Sequence, residues 1–75
     1  MIRTRLILTG YLKNKYLSEI EITYNKSVKV LQILKDAKIN PADVWLIKVG
    51  DLIVKEDYLL TKSNEVKLFP IIGGG

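Results

Sequence analysis

The 75 residues contain no cysteine and no histidine. The chain therefore offers neither a thiolate nucleophile nor the usual side-chain base for acyl chemistry. A disulfide framework and a Cys/His zinc site are excluded for the same reason. What remains is a backbone group. The last residues read FPIIGGG, from Phe69 to Gly75. At a background glycine frequency of about 7%, three in succession arise by chance roughly three times in ten thousand. A frayed end or an expression scar would account for them without any function. No tag or protease site stands beside them, however. The other reading makes the end of the chain the reactive part of the molecule, with Gly75 supplying its carboxylate.

A carboxylate is a poor electrophile and needs a leaving group before it can be attacked. ATP can supply one by forming an acyl-adenylate. A sulfur nucleophile then gives a thiocarboxylate, and an amine gives an amide, so that one hard step becomes two easier ones. The catalytic groups and the ATP must come from a partner protein. The chain itself is then a cosubstrate and not an enzyme, with no bound cofactor or metal expected. Residues 71–75 reach at most about 16–18 Å when extended, enough to carry Gly75 deep into a partner. Gly73 and Gly74 have no Cβ and suit a narrow channel, while Pro70, Ile71 and Ile72 form the approach to it.

These residues need a platform. IRTRLILT, at the start, alternates: Ile2, Thr4, Leu6 and Leu8 share one phase, and Arg3, Arg5, Ile7 and Thr9 the other. The pattern predicts a half-buried strand with even positions inward. YLKNKYL reads as a turn, and SEIEITY as a second strand with Ile20, Ile22 and Tyr24 inward, which together suggest a hairpin. NKSVKVLQILKDAKI changes period. Ser27 is a candidate N-cap, Val28, Leu31 and Leu34 fall at helical spacing, and Val30 and Ala37 widen the stripe. The reading is a helix of about three turns, ended at Asn40-Pro41. VWLIKV is a strand over residues 44–49, Gly50-Asp51 a tight turn, and LIV a short strand. Tyr58, Leu59 and Leu60 form an apolar spot in a polar connection and plug the edge of the core. EVKLFP is the last strand, with Val66 and Leu68 on one side and Lys67 and Phe69 on the other. Pro70 is expected to stop the ladder by removing a donor.

The order β-β-α-β-β-β leaves one helix to bury its stripe on one face of a small sheet, with the first and last strands adjacent at its centre. This predicts an α+β, ubiquitin-like β-grasp fold. It has a mixed sheet of four to five strands, one main helix on one face and a flexible C-terminal tail. Residues 1–70 would form the domain and residues 71–75 the tail. The open face then presents Arg3, Arg5, Ile7, Lys67 and Phe69. Ile7 and Phe69 are surplus to a core facing the other way. Phe69 leads into the tail, where a partner must hold the chain, and Arg5 and Lys67 flank it and would steer an acidic partner.

Composition agrees with a single small domain. Hydrophobic residues make up 48% and charged residues 27%, a globular balance. A chain of this size builds one core and no deep pocket of its own. The net charge of +4, from 12 Lys+Arg against 8 Asp+Glu, is spread along the chain. It forms no basic run with interleaved aromatics, which argues against nucleic acid. No apolar run reaches the roughly 20 residues of a membrane span. The N-terminal segment lacks a small-residue cleavage site, so a cytoplasmic location without membrane association is expected.

NEVKLFPIIGGG, following VGDLIV, resembles the end of the sulfur-carrier proteins of the molybdopterin-synthase small-subunit and thiamin-thiazole type (MoaD/ThiS), β-grasp relatives of ubiquitin. SVKVLQIL resembles that family's helix, and Phe69-Pro70 resembles the molybdopterin branch. The resemblance implies that the terminal glycine is adenylated by a ubiquitin-activating-type enzyme and converted to a thiocarboxylate. That sulfur would be donated in molybdopterin or thiamin-thiazole biosynthesis through an acceptor synthase. The carry-over falls on Gly74 and Gly75. Two departures stand out: Gly73 adds a third glycine where the family usually has two, and one proline follows Phe69 where the molybdopterin branch often has two. A ubiquitin-like modifier joined to lysines through Gly75 begins with the same adenylate, and a passive β-grasp binding module would have a dispensable tail.

Overall fold

The computed structural model describes residues 1–71; the expectations for Ile72, Gly73, Gly74 and Gly75 lie outside the described residues. Strand β1 (Ile2–Leu8) alternates strictly, with Ile2, Thr4, Leu6 and Leu8 buried and Arg3 and Arg5 exposed. The segment expected to be a turn is instead a short helix, α1 (Tyr11–Lys15). Leu12 and Tyr16 lie four apart and so share a face. Leu12 is fully buried and Tyr16 packs against the core, so burial overrides the turn preference of the Lys/Asn composition. Strand β2 (Glu19–Tyr24) then returns antiparallel to β1, from Ile7↔Glu19 to Ile2↔Tyr24.

The main helix is shorter than its periodicity suggests. Val28 and Lys29 form β3 (Val28–Lys29), and α2 (Val30–Asp36) follows, with Lys29 rather than Ser27 at the N-cap position. No side chain caps it. The first amides are satisfied by a distant loop: Val30 N–H donates to the Tyr58 carbonyl at 3.0 Å and Leu31 N–H to that of Glu56 at 2.8 Å. Those carbonyls take the capping role usually given to Ser or Asp. The buried stripe is Val30, Ile33 and Leu34, with Leu31 and Ala37 half-buried. The helix ends before the proline. Lys38 adopts φ +62°, its amide bonds Lys35 O, and Ile39 N–H bonds Leu34 O at 2.9 Å. This is a Schellman termination with the Ile39–Leu34 apolar contact that accompanies it. A 3₁₀ turn (Pro41–Asp43) follows, capped by Asn40 Oδ1, which accepts from Ala42 N–H.

Strand β4 (Val44–Val49) and β5 (Leu52–Val54) form an antiparallel pair around Gly50, which has φ +61°. Strand β6 (Leu59–Leu60) pairs with β3, placing Leu60 in the core as expected while Leu59 stays exposed. Strand β7 (Asn64–Pro70) lies parallel to β1 and antiparallel to β4. The five-stranded sheet has the order β2-β1-β7-β4-β5, and the core residues of α2 and of the sheet form one cluster. The chain thus has the expected mixed-sheet β-grasp fold, with the first and last sheet strands side by side at the centre. No helix among the described residues is long and apolar enough to cross a membrane.

Thr4 is the one buried polar side chain among the described residues, and its Oγ1 has no hydrogen-bond partner. An unpaired buried hydroxyl costs about 1–3 kcal/mol. Thr4→Val keeps the shape and removes that cost. The expected result is a melting temperature raised by roughly 4–8 °C, the equivalent of about 1 kcal/mol in a domain of this size. An unchanged or lowered melting temperature would show that the hydroxyl is satisfied in solution.

Candidate functional site: the open face and the root of the tail

Along β7, Val66 and Leu68 are fully buried, Lys67 is exposed and Phe69 half-buried, so the strand phase read from the sequence is correct. Register gathers the open face. Lys67 is opposite Ile7 on β1 and opposite Lys48 on β4, and Phe69 is opposite Leu46. Ile7, Leu46 and Phe69 are all half-buried and make a contiguous apolar spot beside the end of β7. Lys48 and Lys67 face each other on one rung. Like charges in that position destabilise a sheet, and among the described residues neither has an acidic partner within ion-pair distance. An anionic surface laid on the face would relieve the repulsion.

Arg5 is placed differently from its expected role. Its Nε lies 3.1 Å from Glu19 Oε2 and its Nη1 3.1 Å from Glu65 Oε2. Two carboxylates offset its charge, whereas Arg3, Lys48 and Lys67 on this face make no ion pair among the described residues. Local patterning gives β4 only as an apolar strand, and Lys48 and Leu46 join this face through the register against β7. Arg3 is exposed, and its backbone N–H donates to Ser63 Oγ at 2.9 Å.

Pro70 does not stop the ladder. It belongs to β7 opposite Val44, and Ile71 N–H still donates to the Asp43 carbonyl at 3.2 Å. A register shift between Val44 and Leu46 makes Trp45 the extra residue of a bulge, and bulges tolerate a proline opposite them. Trp45 is 63% exposed, a large aromatic beside the root of the tail that local patterning could not place. Ile71 is 56% exposed. On the other flank, Gly10 has φ +54°, and a Cβ there would lie 3.1 Å from the Pro70 ring. Thr9 Oγ1 donates to the Leu68 carbonyl at 2.9 Å.

Between these flanks lies a small polar network. Asp43 Oδ2 accepts from Tyr16 OH at 2.6 Å and from Lys15 Nζ at 2.9 Å, and Tyr16 OH in turn accepts from Asn40 N–H at 3.1 Å. The Lys15 ammonium, and then the Tyr16 hydroxyl, hold the Asp43 carboxyl below the usual range, while the same contact raises Lys15. Asp36 is lowered likewise by hydrogen bonds from Tyr24 and Gln32, and partial burial, with the Asp36 contact, raises Tyr24. The sign for the two aspartates is fixed: a folded-state value below the unfolded one means that protonation favours unfolding. Their contribution is full above the ordinary aspartate value of about 3.9 and drains as pH falls through the lower folded values. The melting temperature should therefore fall with acidification below about pH 4. It should fall less steeply in Asp36→Asn/Asp43→Asn, and equal slopes would contradict the assignment.

No protein-family model matches the sequence, and no curated protein matches it in sequence. Among solved structures, the chain is similar to a protein described as molybdopterin converting factor, subunit 1, from Pyrococcus furiosus. The TM-score is 0.73 at 15% identity, over 96% of this chain and 100% of that one. At that identity the likeness is one of fold. It is the fold expected from the MoaD/ThiS resemblance.

Proposed function

We propose that this chain is a sulfur carrier of the MoaD/ThiS type, a protein cosubstrate with Gly75 as its reacting residue. A ubiquitin-activating-type partner binds ATP, and a Gly75 carboxylate oxygen attacks its α-phosphorus with release of pyrophosphate. Hydrosulfide then attacks the acyl carbon, AMP leaves, the thiol proton is lost, and a thiocarboxylate results. An acceptor synthase takes that sulfur for molybdopterin or thiamin-thiazole formation. The observation that carries the proposal is the exit of β7. The central strand, paired with β1 as far as Leu68 and with β4 as far as Pro70, runs out at exposed Ile71 beside an apolar spot, and Gly73, Gly74 and Gly75 follow in sequence. The fold likeness to a molybdopterin converting factor subunit supports the same assignment.

In this proposal Ile7, Phe69 and Leu46 form the apolar centre of the docking surface, and Lys67 and Lys48 steer an acidic rim. Pro70, Ile71 and Ile72 lead Gly73 and Gly74 into the channel. The test is the intact mass of the chain purified from its native host. A species heavier by the difference between sulfur and oxygen, lost on alkylation of the thiocarboxylate, is the expected result. Lysine-linked peptides carrying the Gly75 remnant, with no sulfur species, would replace the carrier by a protein modifier.

A further inference from the structure

The end of β7 is gripped from two sides by one segment. At the start of α1, Thr9 N–H and Oγ1 both donate to the Leu68 carbonyl, at 3.2 and 2.9 Å, and Gly10 abuts the Pro70 ring. At its other end, Lys15 and Tyr16 bond the Asp43 side chain, and the Asp43 carbonyl holds Ile71 N–H. Helix α1 with the Pro41–Asp43 turn therefore closes a collar around the last described residues. The core explains Leu12 and the ring of Tyr16 in this segment, but not Lys15 or the Tyr16 hydroxyl. Lys15 and Asp43 form a partly exposed pair, the kind that adds little to stability, and Ile71 is itself exposed. The collar acts on geometry more than on stability.

We propose that Tyr16, Lys15 and Asp43 are positioning residues that hold Ile71 in line with β7 and so set the direction in which the following residues leave the sheet. The functional half of this inference rests on the carrier proposal. A chain free to pivot after Pro70 would spread its end over a wide cone. A chain held at Ile71 leaves the sheet from a fixed point and in a fixed initial direction, so that part of the ordering is made before the partner binds. At neutral pH Lys15 and Asp43 both carry their charges even at their ordinary pKa values, so the clamp is intact there.

The test uses the full chain with Tyr16→Phe, which removes only the hydroxyl, and Asp43→Ala, which removes the acceptor. Amide hydrogen exchange at Ile71, followed by NMR, should rise about five- to tenfold in each, the loss of one net hydrogen bond. The double variant should rise little further than Asp43→Ala, which already removes the acceptor of the Tyr16 hydroxyl. In ATP–pyrophosphate exchange catalysed by the host's adenylating enzyme, kcat should fall by about the same factor with KM unchanged, because the open face is intact. A residue that only stabilised the fold would lower the melting temperature and leave kcat alone. Unchanged Ile71 exchange overturns the clamp, and faster exchange with an unchanged kcat overturns its positioning role. If wild-type chain supports no pyrophosphate exchange, the carrier proposal fails, and the Ile71 rates still confirm or overturn the clamp by themselves.

Discussion

Chain lacking Gly74 and Gly75 is expected to give no acyl-adenylate with the host's activating enzyme, while folding and melting like the full-length chain. The loss is total because no side chain can substitute. With no cysteine and no histidine, the only group proposed to react with ATP is the Gly75 carboxylate. Truncation moves the terminal carboxylate back to Gly73, shortening the reach by about 7 Å. An in-line attack on a bound nucleotide does not tolerate a displacement of that size. Stability should stay within about 0.5 kcal/mol, the usual range for changes away from packed or bonded features. That corresponds to roughly 2–4 °C in a domain of this size. Pyrophosphate exchange and a thermal melt on the same preparation decide it. Residual adenylation of the truncated chain would remove Gly75 from the chemistry, and a large drop in melting temperature would make the tail part of the fold.

The second large effect separates two adjacent residues. Leu68 is fully buried between β1 and β4, whereas Phe69 stands on the other side of the strand, half-buried opposite Leu46. Leu68→Ala removes packed methyl groups and leaves a cavity, at a cost of about 2–5 kcal/mol. A 75-residue chain has a total stability of roughly 4–11 kcal/mol. The melting temperature should therefore drop by about 10 °C or more, and the variant will sit near the edge of unfolding. Phe69→Ala should lose less than half as much stability. Its effect falls on association: truncating an aromatic anchor at the centre of an interface costs about 2 kcal/mol, close to a thirtyfold loss of affinity. Titration calorimetry with the activating enzyme, beside melts of both variants, tests the pair together. Equal melting losses would put Phe69 in the core, and undiminished affinity for Phe69→Ala would move the docking surface elsewhere.

Much of this architecture is written locally. The alternation of Ile2, Leu6 and Leu8 against Arg3 and Arg5 sets the inward face of β1, because a strand turns successive side chains to opposite sides. The same rule assigns Val66 and Leu68 to the core and leaves Lys67 and Phe69 outside. The central pairing of β1 with β7 follows from a single helix needing one sheet face to cover. The proposed reactive end rests on the sequence alone: a chain without Cys or His and with glycines at 73–75 has few other places to put acyl chemistry, and those glycines lie outside the described residues.

What depended on residues distant in sequence was decided by the tertiary structure. Residues 11–15 are helical because Leu12 finds a place in the core, which no Lys/Asn composition announces. Helix α2 begins at Val30 and not after Ser27, because the carbonyls of Glu56 and Tyr58 arrive to cap it and Leu60 draws Val28 into a strand. Pro70 stays in β7 because a bulge at Trp45 accommodates it. Arg5 is held by Glu19 and Glu65, whereas Lys48 and Lys67, neither of them in an ion pair among the described residues, are brought face to face only by the β4–β7 register. Short-range periodicity decides which way a side chain points. Which groups meet, and hence where the charge and the grip on the tail lie, is set by strand register and by backbone hydrogen bonds made across the fold.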